Sequence, residues 1–461
     1  MALITRRNLL KASAVAGAYG AGLTVAGGYR SAFASPMQLT AKQASAELMP
    51  GKTTANIMTW NDGPLPPVLR MQKGRPFSAR LTNRLNEPTT IHWHGLRIEN
   101  RMDGVPFLTQ PYVYTNDSFD YAFTPPDAGT FWYHPHCNTL TQMGQGMTGM
   151  LIVENPDDPQ FDGEFPLNVR DWRLGGDGQF IAQFKPRDAA KAGTYGTFRT
   201  ANWQPAPTYD APAGGLVRLR IAITDVTRIH GFGIDDGDAL VIALDGNPVA
   251  EPFPLDRLMA GPGQRVDLAL RMPEDEGKVA TLMNYRATPP YPIARFRSHG
   301  ASLKRSLKDI RPLPANPVSA PATEVAETIP LDLSATAEGA PAKESFCGSL
   351  GFNFWAINKV PWSGDTDPTA PLAELKLGKT YHLRLANLTP HIHPIHLHGM
   401  SFKVMESSLG PVRQIFTDTY LIQPDEVATL ALVADNPGDW VIHCHIIEHQ
   451  KSGMTAFFRV T

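Results

Sequence analysis

A repeated stretch decides the fold class of this chain. Its carboxyl-terminal copy reads Gly378-Lys379-Thr380-Tyr381-His382-Leu383-Arg384-Leu385-Ala386-Asn387 and continues to His396-Leu397-His398-Gly399. Its amino-terminal copy reads Gly74-Arg75-Pro76-Phe77-Ser78-Ala79-Arg80-Leu81-Thr82-Asn83 and continues to His92-Trp93-His94-Gly95. The copies align without a gap, so that Arg80 matches Arg384 and His94 matches His398. Such a match between distant segments indicates two copies of one structural unit.

The repeat extends beyond this stretch and has a third copy. Further along both units, Gly129 to His136 matches Gly438 to His445. Between the two units, a segment resembles Leu383-Arg384-Leu385-Ala386-Asn387 and reads Leu219-Arg220-Ile221-Ala222-Ile223. Phe232 and Ile234 stand where the histidines should follow. The sequence therefore predicts three related units, of which the middle one has lost its histidines.

Local patterns in all three units are typical of β-strands. Polar and apolar residues alternate in segments such as 217–224 and 426–433, and turn signals such as Asn436-Pro437-Gly438 separate such segments. The 41 prolines and 39 glycines suit many short strands better than long helices. We therefore predict an all-β chain of three Greek-key β-sandwich domains, at residues 35–156, 157–315 and 316–461.

The first 34 residues have the features of a twin-arginine signal peptide. Arg6 and Arg7 precede an uncharged stretch of small and apolar residues, and Ala32-Phe33-Ala34 forms a cleavage site. We expect the twin-arginine export machinery to carry the chain to the periplasm or the cell exterior. A short membrane anchor that stays uncut is the alternative. No other segment is long and apolar enough to span a bilayer after cleavage.

Charge and cysteine content narrow the possible functions. The 42 Lys+Arg and 44 Asp+Glu residues give a formal charge of −2, which argues against the concentrated basic surface of a nucleic-acid-binding protein.

The cysteines are Cys137, Cys347 and Cys444. Cys137 and Cys347 could form a disulfide in an exported protein. Nothing in the sequence brings them together, however, and we expect both to be buried free thiols.

Ten of the 14 histidines lie in four compact clusters. Alternate residues of a strand face the same side, so each His-x-His pair offers two imidazoles to one pocket. Four clusters placed by a repeat predict a site for several metal ions, and imidazole favours zinc, copper, iron or nickel. The clusters are His92-x-His94, His134-x-His136, His393-x-x-His396-x-His398 and His443-Cys444-His445-x-x-x-His449.

Cys444 decides between these metals. On a strand, His443 and His445 face one side while Cys444 faces the other, so the cysteine serves a separate site. Two imidazoles, one thiolate and a thioether are the ligand set of a blue copper electron-transfer centre, whereas zinc cannot change its oxidation state. We predict that this set consists of His393, Cys444, His449 and Met454. Eight histidines remain for the opposite side.

In combination, the four motifs resemble those of the multicopper oxidases (laccases, bilirubin oxidases and cuprous oxidases) over nearly the whole mature chain. The resemblance implies three cupredoxin-like domains, a copper-free middle domain and four copper ions: one type 1, one type 2 and two type 3. It places the type 2 ion on His92 and His396. It assigns His94, His134 and His445 to one type 3 ion, and His136, His398 and His443 to the other.

The same resemblance implies a reaction. Four one-electron oxidations of a substrate reduce dioxygen to water, and the electrons enter through an exposed imidazole edge of His449 or His393 and cross Cys444. Asp103 falls where the family has an acid that relays protons to bound oxygen species. Several bacterial members carry an acid directly after the last blue-copper histidine. Gln450 stands there in this chain, which puts one expected proton path in doubt.

The electron donor is left open between two classes. We favour a laccase-like oxidation of phenols or aromatic amines, because the 15 methionines are scattered rather than gathered in the insert that many cuprous-ion oxidases carry. A copper-free cell-division scaffold of the same fold is disfavoured, because all ten clustered histidines and Cys444 are present. Copper nitrite reductases are disfavoured too, because they lack the His-Cys-His run.

Overall fold

The computed structural model describes residues 36–63, 65–322, 324, 326–335, 347, 349–362 and 370–461. The predicted signal peptide, residues 1–34, lies outside these described residues. Strands arranged in six sheets dominate the described chain, and its helices are short, which confirms the all-β prediction. Among the described residues, no helix has the length and apolar character needed to cross a membrane.

The first pair of sheets carries both amino-terminal histidine clusters. One sheet has the strand order β2-β1-β4-β6 and the other the order β3-β8-β7-β5. Apolar side chains of both sheets share one core, which includes Leu81, Trp93 and Phe131. The elements are β1 (Met37–Met49), β2 (Lys52–Trp60), β3 (Val68–Gln72), β4 (Phe77–Asn83), β5 (His92–His94), a 3₁₀ turn (Asn100–Met102), β6 (Ser118–Phe123), β7 (Gly129–His134), α1 (Thr139–Gly144) and β8 (Gly149–Glu154).

The second pair of sheets has no histidine cluster. Its strand orders are β10-β9-β12-β17-β14-β15 and β11-β19-β18-β13-β16. Leu219, Phe232 and Phe296 are part of its core. The elements are β9 (Gly163–Trp172), α2 (Pro186–Ala189), β10 (Phe198–Ala201), β11 (Thr208–Pro212), β12 (Leu216–Ile223), β13 (His230–Asp235), β14 (Asp238–Leu244), β15 (Asn247–Pro254), β16 (Leu258–Ala260), β17 (Arg265–Arg271), β18 (Val279–Asn284), β19 (Tyr291–His299) and a 3₁₀ turn (Leu307–Asp309).

The third pair of sheets carries the two carboxyl-terminal histidine clusters. Its strand orders are β21-β20-β23-β28-β25-β26 and β22-β30-β29-β24-β27. Cys444 and Met454 lie in its core. The elements are β20 (Glu327–Ser334), β21 (Ala356–Ile357), β22 (Ala373–Leu375), β23 (Thr380–Asn387), β24 (His393–Leu397), β25 (Phe402–Ser407), β26 (Phe416–Thr417), β27 (Thr419–Ile422), β28 (Val427–Val433), β29 (Gly438–Cys444), α3 (Ile447–Lys451) and β30 (Thr455–Val460).

The three sheet pairs share one topology, which confirms the internal repeat. The first sheet of each pair contains one parallel pairing: β1 with β4, β9 with β12 and β20 with β23. The second sheet of each contains another: β3 with β8, β11 with β19 and β22 with β30. The second and third pairs correspond strand for strand. Two packed sheets around one core are a β-sandwich, so the described residues form three of them.

The proposed domain limits at residues 156 and 315 fall in the connections between β8 and β9 and between β19 and β20. The described residues from 36 onward form one compact unit. These limits therefore stay predictions. The three sandwiches pack against one another closely enough to share buried sites.

Cys137 and Cys347 form a disulfide, so the expectation of two free thiols was wrong. The bond links the loop after β7 to the chain that precedes β21, across a sequence separation of 210 residues. Its partners meet because loops of the first and third sandwiches lie side by side. Neither local pattern nor the repeat encodes that proximity. Cys444 remains free and buried.

Candidate metal centres

Eight of the predicted ligand histidines converge on one site between the first and third sandwiches. Each is buried, with at most 5% of its surface exposed. Rings from the two sandwiches stack on each other, with centroids 3.8 Å apart for His92 and His398 and 3.8 Å apart for His94 and His396. The eight are His92, His94, His134, His136, His396, His398, His443 and His445.

Strand pairing sets the positions of these rings. His92 on β5 lies directly opposite His134 on β7, and His396 on β24 lies directly opposite His443 on β29. Residues that lie opposite each other on neighbouring strands project to the same face of a sheet. Each sandwich therefore presents one patch of imidazoles, and the two patches face each other across the interface.

The free nitrogen atoms of these imidazoles point to metal binding. The Nε2 atoms of His92, His134 and His396 are buried and have no hydrogen-bond partner, and neither ring nitrogen of His94 or His445 has one. A buried polar atom without a partner costs about 1–3 kcal/mol, so a group of them needs an explanation. A metal ion that accepts their lone pairs supplies it.

The opposite ring nitrogens are fixed by hydrogen bonds to the protein. The Nδ1 atom of His92 lies 2.9 Å from the carbonyl oxygen of Asp103, and that of His396 lies 3.0 Å from the carbonyl oxygen of Asp418. The Nδ1 atom of His134 lies 3.0 Å from the carbonyl oxygen of Pro135. A bond from Nδ1–H leaves Nε2 with its lone pair, which is the usual arrangement in a metal-ligating imidazole.

The residues of both predicted type 3 sets lie at this site, and their division between two ions stays a prediction. Nitrogen atoms of His136, His398 and His443 lie within 4.8 Å of one another, and the Nε2 atoms of His398 and His443 are 3.1 Å apart. The ring centroid of His445 lies 4.9 Å from that of His94 and 5.3 Å from that of His134. Burial, followed by the neighbouring imidazoles, holds the pKa of His136, His443 and His445 well below the ordinary value. These rings are therefore neutral and ready to coordinate a metal.

A second candidate site contains Cys444. The Cys444 Sγ atom lies 3.6 Å from the Nδ1 atom of His393 and 3.6 Å from that of His449, and the two nitrogens are 3.0 Å apart. All three side chains are buried. Burial raises the pKa of the Cys444 thiol, so it stays protonated until a bound cation displaces the proton.

Met454 is placed beside this second site by its backbone. The Met454 amide donates to the carbonyl oxygen of His449 at 3.0 Å, and its carbonyl oxygen accepts from the Cys444 amide at 3.1 Å. The side chain is buried in the core that also contains Cys444. A thioether contact from Met454 to a metal at this site stays a prediction.

One strand connects the two sites. On β29, Cys444 lies opposite Ile395, and the preceding His443 lies opposite His396. The Cys444 sulfur faces His393 and His449, whereas the Nε2 atom of His443 faces His398. A single peptide link on either side of Cys444 therefore joins the thiol site to the site of eight imidazoles.

Asp103 lies at the site of eight imidazoles, as predicted. Its carboxylate accepts a hydrogen bond from the Nδ1 atom of His398 at 2.8 Å and lies 3.2 Å from the Nδ1 atom of His92. Burial alone would raise the pKa of Asp103, but the charges and hydrogen bonds of these two imidazoles outweigh it and hold the pKa below the ordinary value. The carboxylate can therefore orient both rings. Its role as a proton relay stays a prediction.

Asp418 also contacts the site of eight imidazoles, and the sequence did not predict this residue. Its carboxylate lies 3.2 Å from the Nδ1 atom of His396 and 3.5 Å from the Nε2 atom of His94. Arg265 of the second sandwich holds it through two hydrogen bonds. Asp418 stands between two threonines and outside every cluster, so no local signal distinguishes it from a loop aspartate.

The second sandwich also contacts the imidazoles through Gly263. Its φ angle is +90°, and a Cβ atom at this position would lie 2.9 Å from the Cδ2 atom of His445 and 3.1 Å from the Cε1 atom of His94. Both the positive φ angle and the lack of room for a Cβ atom favour glycine at this position. The second sandwich thus forms part of the wall of the candidate metal site.

The expected exposed imidazole edge was wrong. His393 and His449 are both buried. The Nε2 atom of His449 lies 2.8 Å from the carbonyl oxygen of Lys191, and that of His393 lies 2.8 Å from the Thr389 hydroxyl. The covering segment comes from the second sandwich, whose loops the repeat does not predict.

Gln450 and Glu448 lie on α3 but face different neighbours. The Nε2 atom of Gln450 lies 3.3 Å from the Nε2 atom of His136, so this amide contacts a predicted ligand. Glu448 is buried and accepts hydrogen bonds from the amide and the hydroxyl of Thr194. Glu448 thus ties the third sandwich to the second.

Comparisons with known proteins agree with this geometry. Residues 41–158 and 339–461 match family models described as multicopper oxidase, and the two segments contain all four histidine clusters. Among curated proteins, the multicopper oxidase MmcO of Mycobacterium tuberculosis is 27% identical over 468 residues, covering 90% of this chain and 85% of its own. Laccase-4 of Trametes villosa is 27% identical over 445 residues, covering 85% of this chain and 83% of its own.

Solved structures extend the similarity. The multi-copper oxidase from Pseudomonas thermotolerans superposes with a TM-score of 0.85 at 37% identity, covering 94% of this chain and all (100%) of its own. McoA from Aquifex aeolicus superposes with a TM-score of 0.79 at 26% identity, covering 93% of this chain and 96% of its own.

Proposed function

The chain belongs to the multicopper oxidases, and on that premise we propose that it couples four one-electron oxidations of a phenol or an aromatic amine to the reduction of one dioxygen to two waters. As a member of this family it is a copper-dependent oxidoreductase that uses dioxygen. The laccase-like donor and the number of copper ions are the proposed part. One observation carries the proposal: a thiol site and a site of eight imidazoles lie on the two sides of one strand.

The donor atoms fit four copper ions. His393, Cys444 and His449, with Met454, would hold the type 1 ion, and His92 and His396 would hold the type 2 ion. The two type 3 sets would be His94, His134 and His445, and His136, His398 and His443. When bound, copper would supply one-electron redox chemistry at the thiol site and dioxygen reduction at the imidazole site.

The protein's own residues prepare both sites. Burial excludes water from the imidazoles, and the hydrogen bonds at the Nδ1 atoms of His92 and His396 aim their free nitrogens into the site. The covalent links from Cys444 to His443 and His445 give an electron a short path between the two sites. Asp103 accepts a hydrogen bond from His398 and would pass protons toward the site where water forms.

Replacing Cys444 by serine tests the electron path. We expect the copper-loaded variant to lose the blue colour and the oxidase activity together, because serine removes the thiolate and leaves the eight imidazoles intact. The variant His299→Gln changes an exposed histidine outside the clusters and serves as the control. Oxidase activity that survives in Cys444→Ser would contradict the proposal.

The electron donor needs a direct comparison. Dioxygen uptake by the copper-loaded protein should be measured in parallel with a phenol, an aromatic diamine and cuprous ion. The laccase-like proposal expects a higher kcat/KM for the two aromatic donors. Faster turnover of cuprous ion would establish the alternative, a cuprous-ion oxidase that acts in copper tolerance.

We further propose that the twin-arginine export machinery carries this protein to the periplasm or the cell exterior. The motif around Arg6 and Arg7 and the site Ala32-Phe33-Ala34 support this proposal. Replacing both arginines by lysine should retain the uncleaved chain in the cytoplasm. Normal export of that variant would refute this route.

A further inference from the structure

A segment of the second sandwich closes the outer side of the thiol site. We call residues 185–194 the cap. The carbonyl oxygen of Lys191 lies 2.8 Å from the Nε2 atom of His449, and the carbonyl oxygen of Ala189 accepts a hydrogen bond from the Trp355 indole at 2.9 Å. The Trp355 ring also packs on His449, with centroids 4.5 Å apart. A donor therefore cannot touch the His449 imidazole while the cap is in place.

The cap is firmly anchored at its carboxyl-terminal end and on both flanks. Thr194 donates two hydrogen bonds to the buried carboxylate of Glu448, one of them at 2.7 Å. Arg173 donates to the carbonyl oxygens of Ala182 at 2.6 Å and Tyr195 at 2.9 Å, which fixes the chain before and after the cap. Gly193, at φ +89°, fits against Thr227 where a Cβ atom would clash. The closed arrangement is thus built into the fold.

The outer surface of the cap is basic. Lys185, Arg187 and Lys191 are exposed, whereas Asp188, the cap's single acid, is only partly exposed. Glu448 beneath the cap is buried and bonded to Thr194, so it adds little negative potential outside. Three cations against one acid give this surface a positive potential that attracts anions.

The position of Lys191 connects this charge to the redox site. Lys191 is an exposed residue, while its carbonyl oxygen contacts the His449 imidazole through a hydrogen bond. A donor that docks on the cap is therefore separated from His449 by one residue of backbone. An electron can cross that short bonded path without the cap opening.

We propose that the outer surface of the cap is the docking site for the electron donor, and that Lys185, Arg187 and Lys191 select anionic aromatic reductants such as phenols that carry a carboxylate or a sulfonate. This inference rests on the proposed function and names its substrate class. Each docked phenol gives up one electron and its phenolic proton and leaves as a phenoxyl radical. Four of them convert one dioxygen into two waters, so electrons and protons balance.

The test removes the three charges and keeps the backbone. In the copper-loaded full chain, the triple variant Lys185→Gln, Arg187→Gln and Lys191→Gln retains the Lys191 carbonyl contact and the anchors of the cap. The probes are a dimethoxylated hydroxybenzoate, which is an anion, and its neutral methyl ester. The matched control replaces three exposed lysines elsewhere by glutamine: Lys278, Lys308 and Lys376.

The two probes should respond differently. For the anion, kcat/KM should fall roughly five- to tenfold in the cap variant, as expected for three screened surface charges within a Debye length. For the ester it should stay within about twofold, and the control should leave the ratio of the two probes unchanged. Added salt should lower kcat/KM for the anion in the wild type but not in the cap variant.

Two other outcomes would each refute a different proposal. Equal changes for anion and ester, or no change for either, would refute the cap as a docking site for anions. A wild-type protein that oxidises neither probe and consumes no dioxygen with any aromatic donor would instead refute the proposed function. The two failures are therefore distinguishable.

Discussion

Removing Arg265 should destabilise the protein strongly, because its charge is buried among all three sandwiches. Its guanidinium donates two hydrogen bonds to the Asp418 carboxylate, and its side chain is 0% exposed. It also lies 3.5 Å from the Asp245 carboxylate and donates to the carbonyl oxygens of Thr130 and Gly263. One side chain thus joins the first, second and third sandwiches.

The variant Arg265→Met keeps much of the side-chain volume and removes the charge. Asp418 would then remain as a buried carboxylate without its counter-ion, and Asp245 would lose the cation that offsets its burial. In the wild type, burial alone would raise the pKa of Asp418, but the charge of Arg265 outweighs it and holds the pKa below the ordinary value. Breaking a buried ion pair from one side costs about 3–5 kcal/mol, and we expect a loss of that size.

The same protein offers a matched exposed pair. Arg80 donates two hydrogen bonds to Asp120, each 2.6 Å long, but the two side chains are 49% and 58% exposed. Surface ion pairs contribute about 0–1 kcal/mol, because water solvates both groups when the pair is broken. Arg80→Met should therefore change the free energy of unfolding far less than Arg265→Met does.

Denaturant titration followed by tryptophan fluorescence gives the free energies of unfolding. The protein should be stripped of copper, since bound metal adds a linkage contribution to the apparent stability. Adding Asp418→Asn to Arg265→Met should restore about 1 kcal/mol or more, because it removes one orphaned charge. Equal small losses in Arg265→Met and Arg80→Met would refute the reasoning from burial.

Three further predictions concern other parts of the chain. Replacing Cys137 and Cys347 by serine should lower the free energy of unfolding by about 5 kcal/mol in the chain-entropy model, because the disulfide spans a sequence separation of 210 residues. A thiol reductant should shift the thermal transition of the wild type but not that of the variant. Asp103→Asn should lower kcat for dioxygen reduction by roughly a hundredfold. The rate at which a donor bleaches the blue colour under anaerobic conditions should stay unchanged. An equal loss in kcat and in the bleaching rate would contradict the relay role. Burial, and after it the charge of Asp225, raises the pKa of Asp171 to about 7. Because this folded value lies above the unfolded one, the protein should lose stability as pH rises from about 4 to about 7; Asp171→Asn should flatten that part of the stability profile, and an unchanged slope would contradict the assignment.

The sequence predicted those parts of the fold that repeat along it. Matching Arg384 with Arg220 and Arg80 aligned β23, β12 and β4, and these strands occupy equivalent places in the three sandwiches. The ligand histidines were predictable for the same reason. A strand fixes which side chains share a face, and the repeat placed His92 and His396 at equivalent positions.

Contacts between sandwiches were not predictable in this way. Asp418 reaches His396 only because Arg265, on another sandwich, holds its carboxylate. Lys191 covers His449 through a backbone carbonyl, an atom that every residue possesses. Neither contact depends on a distinctive residue type at a regular spacing. Only the packing of the three sandwiches brings these atoms together.

The middle sandwich therefore contributes to the candidate metal sites. Gly263 packs against His94 and His445, Arg265 fixes the acid beside His396, and the cap covers His449. Each of these contacts comes from a segment of the second sandwich. A chain that kept all four histidine motifs but lacked the middle sandwich would retain every ligand atom. It would lose the groups that orient two of the imidazoles and the surface that separates the thiol site from solvent.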